Sequence, residues 1–173
     1  MPSALNLPEL ACRGSLKKLI EIRAAIERDA SELAAMRYDF RAGLDAPLEP
    51  RDAFISRCKG WMAACLRDVD SAWRCWVAQE TDSLIGNVWL RLIDKLPNPV
   101  AEPEAHGYVS NLYVVPQRRD QGVGGRLLNA AVEWCASRRV DWVILWPTPA
   151  SRTLYARRGF KTTEDIMALT LRR

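Results

Sequence analysis

Residues 108–128 place a strand, a glycine-bearing loop and the start of a helix in one continuous segment, YVSNLYVVPQRRDQGVGGRLL. A strand is predicted over 106–115, because β-branched, aromatic and aliphatic residues dominate it and Pro116 ends it. A helix is predicted over 122–138, where apolar side chains recur on one face. These side chains are Leu127, Leu128, Ala131, Val132 and Cys135.

The loop between strand and helix suits a phosphate group. The first N–H groups of a helix have no internal partner and carry partial positive charge. Gly122, Gly124 and Gly125 allow these amides to approach an anion closely, and several arginines stand beside them in the sequence. The sequence therefore predicts a phosphate or pyrophosphate site. The alternative is a glycine-rich turn that merely connects the strand to the helix.

The pattern around the glycines excludes two common phosphate loops. A Walker loop needs Gly-Lys-Ser/Thr, whereas Gly124 is followed here by Gly125 and Arg126. A dinucleotide fingerprint needs glycine or alanine at the position of Leu127.

A third pattern does match. Arg119, Gly122 and Gly124 fit Arg/Gln-x-x-Gly-x-Gly/Ala, and the loop resembles the coenzyme A loop of the GNAT superfamily of N-acetyltransferases. Residues 111–116, NLYVVP, resemble the fourth strand of that family. Downstream, residues 154–160, LYARRGF, resemble its Leu-Tyr-x-x-x-Gly-Phe motif and follow a predicted strand. The resemblance covers roughly residues 19–171.

Length and composition indicate one domain. A chain of 173 residues can bury a sizeable core. We expect residues 1–18 to form a poorly ordered leader and residues 19–173 to form the domain. No apolar run approaches the ~20 residues that span a membrane, and no basic region followed by a long apolar core marks a signal peptide.

The cysteines and charges narrow the partners. The five cysteines form no C-x-x-C pair and the chain has one histidine, so no metal is expected. An odd number of free thiols fits the reducing cytoplasm, where we expect the protein to work. The net charge of +4 is mild and no nucleic-acid-binding motif is present, which argues against a nucleic acid partner.

Hydrophobic periodicity and turn signals predict a mixed α/β fold in the order β-α-α-β-β-β-α-β-α-β. The strands are expected at 19–24, 72–80, 84–93, 106–115, 141–146 and 166–171, and the helices at 29–43, 51–68, 122–138 and 150–158. The GNAT resemblance implies the same order, with the fourth and fifth strands splayed apart.

The resemblance also implies acetyl-CoA as cofactor. The pantetheine arm would pair with backbone groups of Leu112, Tyr113 and Val114 in the gap between the splayed strands. The backbone amides of the loop would hold the pyrophosphate, with Arg119 and Arg126 close by. The loop residues concerned are Gln121, Gly122, Val123, Gly124 and Gly125.

The same resemblance makes Tyr155 the acid that protonates the leaving thiolate, and the structural alternative is an aromatic side chain packed on the sheet. The chain departs from the family at the base. Many members carry a glutamate on the fourth strand, where Tyr108 and Ser110 stand here. His106 is the candidate base acting through water, because histidine is a common side chain for proton transfer in proteins. Proton loss without a single base is the alternative.

A second departure precedes Tyr155. Thr148 stands where many members carry asparagine. The local sequence resembles a sub-pattern of small-molecule acetyltransferases, which makes Ser151 and Arg152 candidate cofactor contacts.

The acceptor is expected between the two N-terminal helices, the loop before the fourth strand and the end of the fifth strand. Aromatic residues with Asp39, Asp94, Glu102 or Glu104 nearby would suit a cationic amine. The aromatic candidates are Tyr38, Phe40, Trp76, Trp89 and Trp146, and core packing is the alternative for each tryptophan.

The sequence thus predicts an acetyl-CoA-dependent N-acetyltransferase that transfers acetyl directly to a small-molecule amine in a ternary complex. A protein- or tRNA-directed acetyltransferase and a coenzyme-A-binding module without turnover are the alternatives. The family often forms dimers, which leaves a homodimer open.

Overall fold

The computed structural model of the chain describes residues 19–171. The predicted leader over residues 1–18 and the last two residues of the predicted domain lie outside this range, and the expectations for them stay predictions.

Five strands form one sheet in the order β1-β2-β3-β4-β5. Neighbours from β1 to β4 are antiparallel, and β5 runs parallel to β4. The strands are β1 (Ile20–Ala24), β2 (Trp73–Glu80), β3 (Ser83–Asp94), β4 (Ala105–Val114) and β5 (Trp142–Ile144). The helices are α1 (Ala30–Ala42), α2 (Arg51–Arg67), α3 (Val123–Ser137) and α4 (Arg152–Ala156).

The predicted mixed α/β fold is confirmed, and nine of its ten elements appear at or close to the expected bounds. The exception is the last strand. Residues 166–171 form no helix or strand, and the side chains of Met167 and Leu169 are almost fully exposed. The run is apolar enough for a strand, but a strand also needs a neighbour to complete its hydrogen-bond ladder. Among residues 19–171, this segment has none.

The sheet is covered by helices on both faces. On one face, α3 and Tyr155 of α4 pack against side chains of β2, β3 and β4 in a buried cluster centred on Leu90, Leu127 and Leu128. On the other face, α1 and α2 pack against a second cluster that includes Leu33, Val77 and Trp89. We call these the α3 face and the α1–α2 face.

A bulge in β4 changes which side chains point to each face. Asn87 of β3 pairs with Tyr113 and Trp89 pairs with Ser110, so Val88 stands opposite two residues of β4. Asn111, one of these two, has a φ of 51° in the left-handed region. Side chains of a regular strand alternate between faces, and one extra residue shifts the alternation. Val109 therefore lies on the α3 face, whereas Tyr113 lies in the α1–α2 cluster.

An ion pair holds the connection between β1 and α1. Asp29, with 7% of its side chain exposed, accepts hydrogen bonds from both terminal nitrogens of Arg23 at 2.7 and 2.9 Å. The backbone N–H of Ile26 donates a third at 2.8 Å. Burial alone would raise the pKa of Asp29, but these hydrogen bonds outweigh it and hold the pKa below its usual range.

Asp29→Asn should lower the free energy of unfolding by about 2–3 kcal/mol at neutral pH, because Arg23 loses its partner. The carboxylate contributes fully above its unfolded pKa of about 4, and the contribution is lost as the pH falls through the lowered folded value. The difference in free energy of unfolding between wild type and variant, measured with urea, should therefore become smaller below about pH 4. Asp45→Asn is the control, since Asp45 is 80% exposed at a 3.7 Å ion pair, and equal losses in both variants would contradict the prediction.

Candidate active site

The fourth and fifth strands separate part-way along β4. Their pairing covers three residue pairs and ends at Tyr108 and Ile144, whereas β4 continues to Val114. Beyond Tyr108, β4 is hydrogen-bonded to β3 on one side and to no strand on the other within residues 19–171. The gap beside residues 109–114 is therefore lined by unpaired strand backbone, and the predicted splay is confirmed.

The glycine loop lies where β4 ends. Gly122 precedes α3 with a φ of 78°, a left-handed conformation that glycine adopts at low cost, and Asp120 is also left-handed. The first hydrogen bond of α3 runs from the N–H of Arg126 to the carbonyl of Gly122, the residue that precedes the helix. The amides at the start of α3 thus have no helical acceptor. Buried Val123 anchors this end of the helix in the core of the α3 face.

The start of α3 is held between β4 and α4. A Cβ atom on Gly124 would lie 3.5 Å from Leu154 and 3.7 Å from Val114. A Cβ atom on Gly125 would collide with the guanidinium of Arg158, whose other contact is a 2.9 Å hydrogen bond to Asn129. The open helix end therefore sits beside the separated strands, with a cation over its first turn.

The arginines predicted beside the loop are engaged with nearby backbone. Arg119 donates to the carbonyl of Val114 at 3.0 Å and stacks over Tyr113. Arg126 donates to the carbonyl of Ile20 in β1 at 2.8 Å. Gln121 donates to the carbonyl of its neighbour Gln117. All three side chains are exposed, so their contact with an anion stays a prediction.

Leu112, Tyr113 and Val114 lie along the free edge of β4, as the pantetheine prediction requires. Leu112 and Val114 pack against the core of the α3 face, and Tyr113 is buried on the opposite face against Phe40. Their side chains have structural roles, which leaves their backbone for a ligand.

Tyr155 is held in one position by its surroundings. Its side chain is 9% exposed, belongs to the core of the α3 face and packs edge-on against Phe160 at 5.8 Å. Burial raises the pKa of Tyr155 above its usual value, although Ser151 partly offsets this effect. The phenol therefore keeps its proton at neutral pH, as a general acid must.

Ser151 turns back onto its own turn, where its hydroxyl donates to the carbonyl of Thr148 and accepts from the Thr148 hydroxyl, both at 3.0 Å. Arg152 is exposed at the start of α4. Their predicted contact with a cofactor stays a prediction.

His106 lies in a charged network at the paired end of β4. Its Nδ1 is 2.9 Å from Asp141, which is also 3.0 Å from Lys95. Every second residue of a strand points to the same face, so the α1–α2 face of β4 carries His106, Tyr108 and Ser110. Ser110 lies four positions after His106 along the strand, which is a distance of about 13 Å.

A small cavity of about 110 Å³ lies on the α1–α2 face, against the bulge of β4. Arg37 of α1 donates to the side-chain carbonyl of Asn111 at 3.1 Å, and Asn111 donates to buried Asn87 at 2.8 Å. Indole rings pack together on the apolar side of the cavity, with centroids 5.4 to 6.2 Å apart. These are Trp61, Trp73 and Trp89.

The predicted acceptor residues separate into three groups. Trp89 lines this cavity, and Phe40 contacts Arg37. Trp146 packs against Tyr108 at the point where β4 and β5 separate, with the ring centroids 5.0 Å apart. Tyr38 joins α1 to α2 through Phe54, and Trp76 packs against Trp134 of α3, on the other face of the sheet. Trp76 thus serves the core, the structural alternative given for it.

The predicted carboxylates lie elsewhere. Asp39 pairs with Arg51 at 3.5 Å, Glu102 pairs with Lys95, and Glu104 accepts from the backbone of Asn98. None of them lines the cavity beside β4. The expected acidic wall for a cationic amine does not form there.

A larger cavity of about 630 Å³ lies between β5, α4 and residues 158–163. Tyr155 and Arg152 reach it, but no residue of β4 or of the glycine loop does. It occupies the outer side of β5, next to the segment for which a last strand was predicted. The gap between β4 and β5 is therefore a separate feature.

Sequence reasoning missed Arg37, Asn111 and Arg158 as members of the site. Arg37 and Asn111 are 74 positions apart in the sequence, and no local sequence pattern predicts such a contact. For Arg158 a signal existed, since it stands inside the LYARRGF motif.

Two kinds of site are absent from residues 19–171. No group of three or more histidine, cysteine, aspartate or glutamate side chains is arranged to hold a metal ion. None of the helices in this part of the chain is both long and apolar enough to cross a membrane.

Comparison with known proteins gives consistent matches. The family model described as Acetyltransferase (GNAT) family matches residues 34–160. An uncharacterized N-acetyltransferase of Archaeoglobus fulgidus is 25% identical over 147 residues, which cover 85% of this chain and 92% of that protein.

Two solved structures share the fold. A predicted acetyltransferase from Clostridium acetobutylicum, crystallised with acetyl-CoA, matches with a TM-score of 0.72 and 22% identity over 88% of this chain and 97% of its own. A GCN5-related N-acetyltransferase from Ralstonia eutropha JMP134 matches with a TM-score of 0.69 and 29% identity over 87% of this chain and 98% of its own.

Proposed function

The chain belongs to the GNAT acetyltransferase family, and we propose that it transfers an acetyl group from acetyl-CoA to the primary amine of a small molecule. The transfer is direct, within a ternary complex. The observation that carries this proposal is the combination of two features: β4 continues without β5 beyond Tyr108, and the loop of residues 115–122 leads from its end to the open amides of α3.

The fit of the residues to acetyl-CoA supports the proposal. An unpaired strand edge can hydrogen-bond an extended amide-containing arm in the manner of an added strand. The backbone amides of 121–125 would hold the pyrophosphate, where the helix dipole favours negative charge. Arg119, Arg126 and Arg158 lie around this helix end and carry the charge to assist. Acetyl-CoA supplies the activated acetyl thioester.

The proton transfers fall to two side chains. Tyr155 gives its proton to the leaving thiolate, and its raised pKa keeps that proton available at neutral pH. His106, oriented by Asp141, accepts the amine proton through water. Backbone N–H groups at the free edge of β4 stabilise the oxyanion that develops on the acetyl carbonyl.

The cysteines of residues 19–171 support direct transfer over an acetyl-cysteine route. Burial raises the pKa of Cys135 to about 11, and it also raises the pKa of Cys75 well above its usual value. Burial also raises the pKa of half-buried Cys58. A thiol acts as a nucleophile in its thiolate form, and these thiols are protonated at neutral pH. Unpaired thiols also support a cytoplasmic location.

Gly124→Glu tests the pyrophosphate site. A Cβ atom fits at Gly124, and a glutamate in the first turn suits the helix dipole, so the fold should persist. Its carboxylate would repel the pyrophosphate, and the Kd for acetyl-CoA measured by calorimetry should rise about 100-fold or more. Gly60→Glu is the control, since Gly60 lies on α2 with open space around it. Retained affinity in Gly124→Glu would show that the pyrophosphate binds elsewhere.

Tyr155→Phe tests the acid. It should lower kcat by about 10²- to 10⁴-fold and leave the Kd for acetyl-CoA unchanged. Because burial raises the pKa of Tyr155, any loss of wild-type activity caused by its ionisation should begin above about pH 10. Thiol release on a panel of amines measures both effects. Equal kcat in wild type and variant would remove Tyr155 from the chemistry.

His106→Gln tests the base. Glutamine can still donate to Asp141 but cannot accept a proton, so kcat at neutral pH should fall about 10- to 100-fold. Lys95→Gln is the matched control, because it removes the lysine that also pairs with Asp141 and leaves the imidazole in place. If both variants behave alike, the amine proton leaves through water without a single base.

A further inference from the structure

The cavity beside β4 contains a cation without a counter-charge. Arg37 forms no ion pair with a carboxylate of residues 19–171, and Asp39, two residues further along α1, pairs with Arg51 instead. The one side-chain hydrogen bond of Arg37 to the described residues goes to the neutral side chain of Asn111. A guanidinium has five N–H donors, so most of the donors of Arg37 remain available for a ligand.

Burial makes this cation costly. Arg37 is partly withdrawn from water, and this desolvation together with the charge of Arg41 lowers its pKa, although it stays protonated. A desolvated charge is stable when an opposite charge or several hydrogen bonds compensate it. The contact to Asn111 provides a small part of this compensation.

The remaining wall of the cavity is apolar and offers further donors. Trp61, Trp73 and Trp89 supply indole surface, and Ser110 supplies a hydroxyl group. The indole N–H of Trp89 is buried and has no acceptor among the described residues. The cavity therefore combines one cation, hydrogen-bond donors and an apolar surface, and no described carboxylate lines it.

We infer that the amine acceptor also carries a carboxylate, which binds Arg37, and an apolar group that lies against the three indole rings. This inference rests on the proposed acetyl transfer and narrows its acceptor to small amino acids or related amino carboxylates. Guanidinium and carboxylate match in a two-point hydrogen-bonded geometry. Ser110 and Asn111 line the cavity at the free part of β4, so a short acceptor held by Arg37 can place its amine near the gap.

The same charge disfavours a polycationic acceptor. Arg37 would repel a second ammonium group in the cavity, and no carboxylate there would attract it. The cationic-amine preference expected from the sequence is replaced by a preference for an amine with an anionic group.

The test compares matched acceptors. Leucine and phenylalanine are paired with their carboxamides, a series from glycine to 6-aminohexanoate varies the distance between amine and carboxylate, and spermidine represents polycations. Thiol release from acetyl-CoA gives kcat/KM for each compound. At least one amino carboxylate should exceed its amide by about 10- to 100-fold, the loss expected for one charge-assisted contact. The amides have the lower amine pKa, so this comparison is biased against the inference.

Arg37→Gln should remove that preference. Activity on the best carboxylate should fall about 10- to 100-fold through KM, with little change for its amide. Arg37→Lys should restore part of the preference because it restores the charge. Arg41→Gln is the matched control, since Arg41 lies one turn further along α1 and is half exposed. A merely structural role of Arg37 would lower activity on acid and amide equally.

The failures are distinguishable. If acetyl-CoA does not bind to the wild-type protein, the proposed function falls. If acetyl-CoA binds and amides or spermidine are acetylated as well as or better than every carboxylate, the proposed function stands and the inference is overturned. Binding of acetyl-CoA without turnover of any compound in the panel also overturns the inference.

Discussion

The bulge at Asn111 is the constraint on which the arrangement of the site depends. Without the extra residue, Val109, Asn111 and Tyr113 would point to the same face of the sheet. With it, Tyr113 joins the α1–α2 cluster, and Leu112 and Val114 pack on the α3 face. The bulge also bends β4 at the stretch that β5 no longer accompanies. One inserted residue thus changes the face to which the following side chains point, and it lies where the two strands separate.

Polar side chains hold this bulge from within the core. Asn87, fully buried on β3, accepts a hydrogen bond from Asn111 and directs its own amide to the sulfur of Met36. Arg37 completes the chain of contacts from α1. A buried polar network is weak as a source of stability but restricts the geometries that satisfy it. Because α1 and β4 share the network, the position of the cavity beside β4 is linked to the position of the strand edge.

Most of the fold could be predicted from the sequence, since the strands and helices carry their own periodicity and stop signals. Pro116 after β4 and the glycines before α3 are examples. The sequence could not reveal that the last predicted strand is missing. Residues 166–171 have the composition of a strand, but among the described residues they have no neighbouring strand to pair with. The glycine loop and Tyr155 were predictable through short motifs. Arg37 was not, since its proposed role depends on a contact with a residue 74 positions away and on its having no carboxylate partner among residues 19–171.

The two faces of the sheet divide the work, and this division restricts how the reaction can proceed. The glycine loop, Val123 and Tyr155 belong to the α3 face, whereas Arg37 and the indole cluster belong to the α1–α2 face. The sheet separates the two sides. They are connected at the opening beside residues 109–114, where β4 is not paired with β5. Tyr108 and Trp146 pack together at the closed end of that opening. An acyl donor from one side and an amine from the other would therefore meet at the free edge of β4, where a direct transfer needs no covalent carrier on the protein.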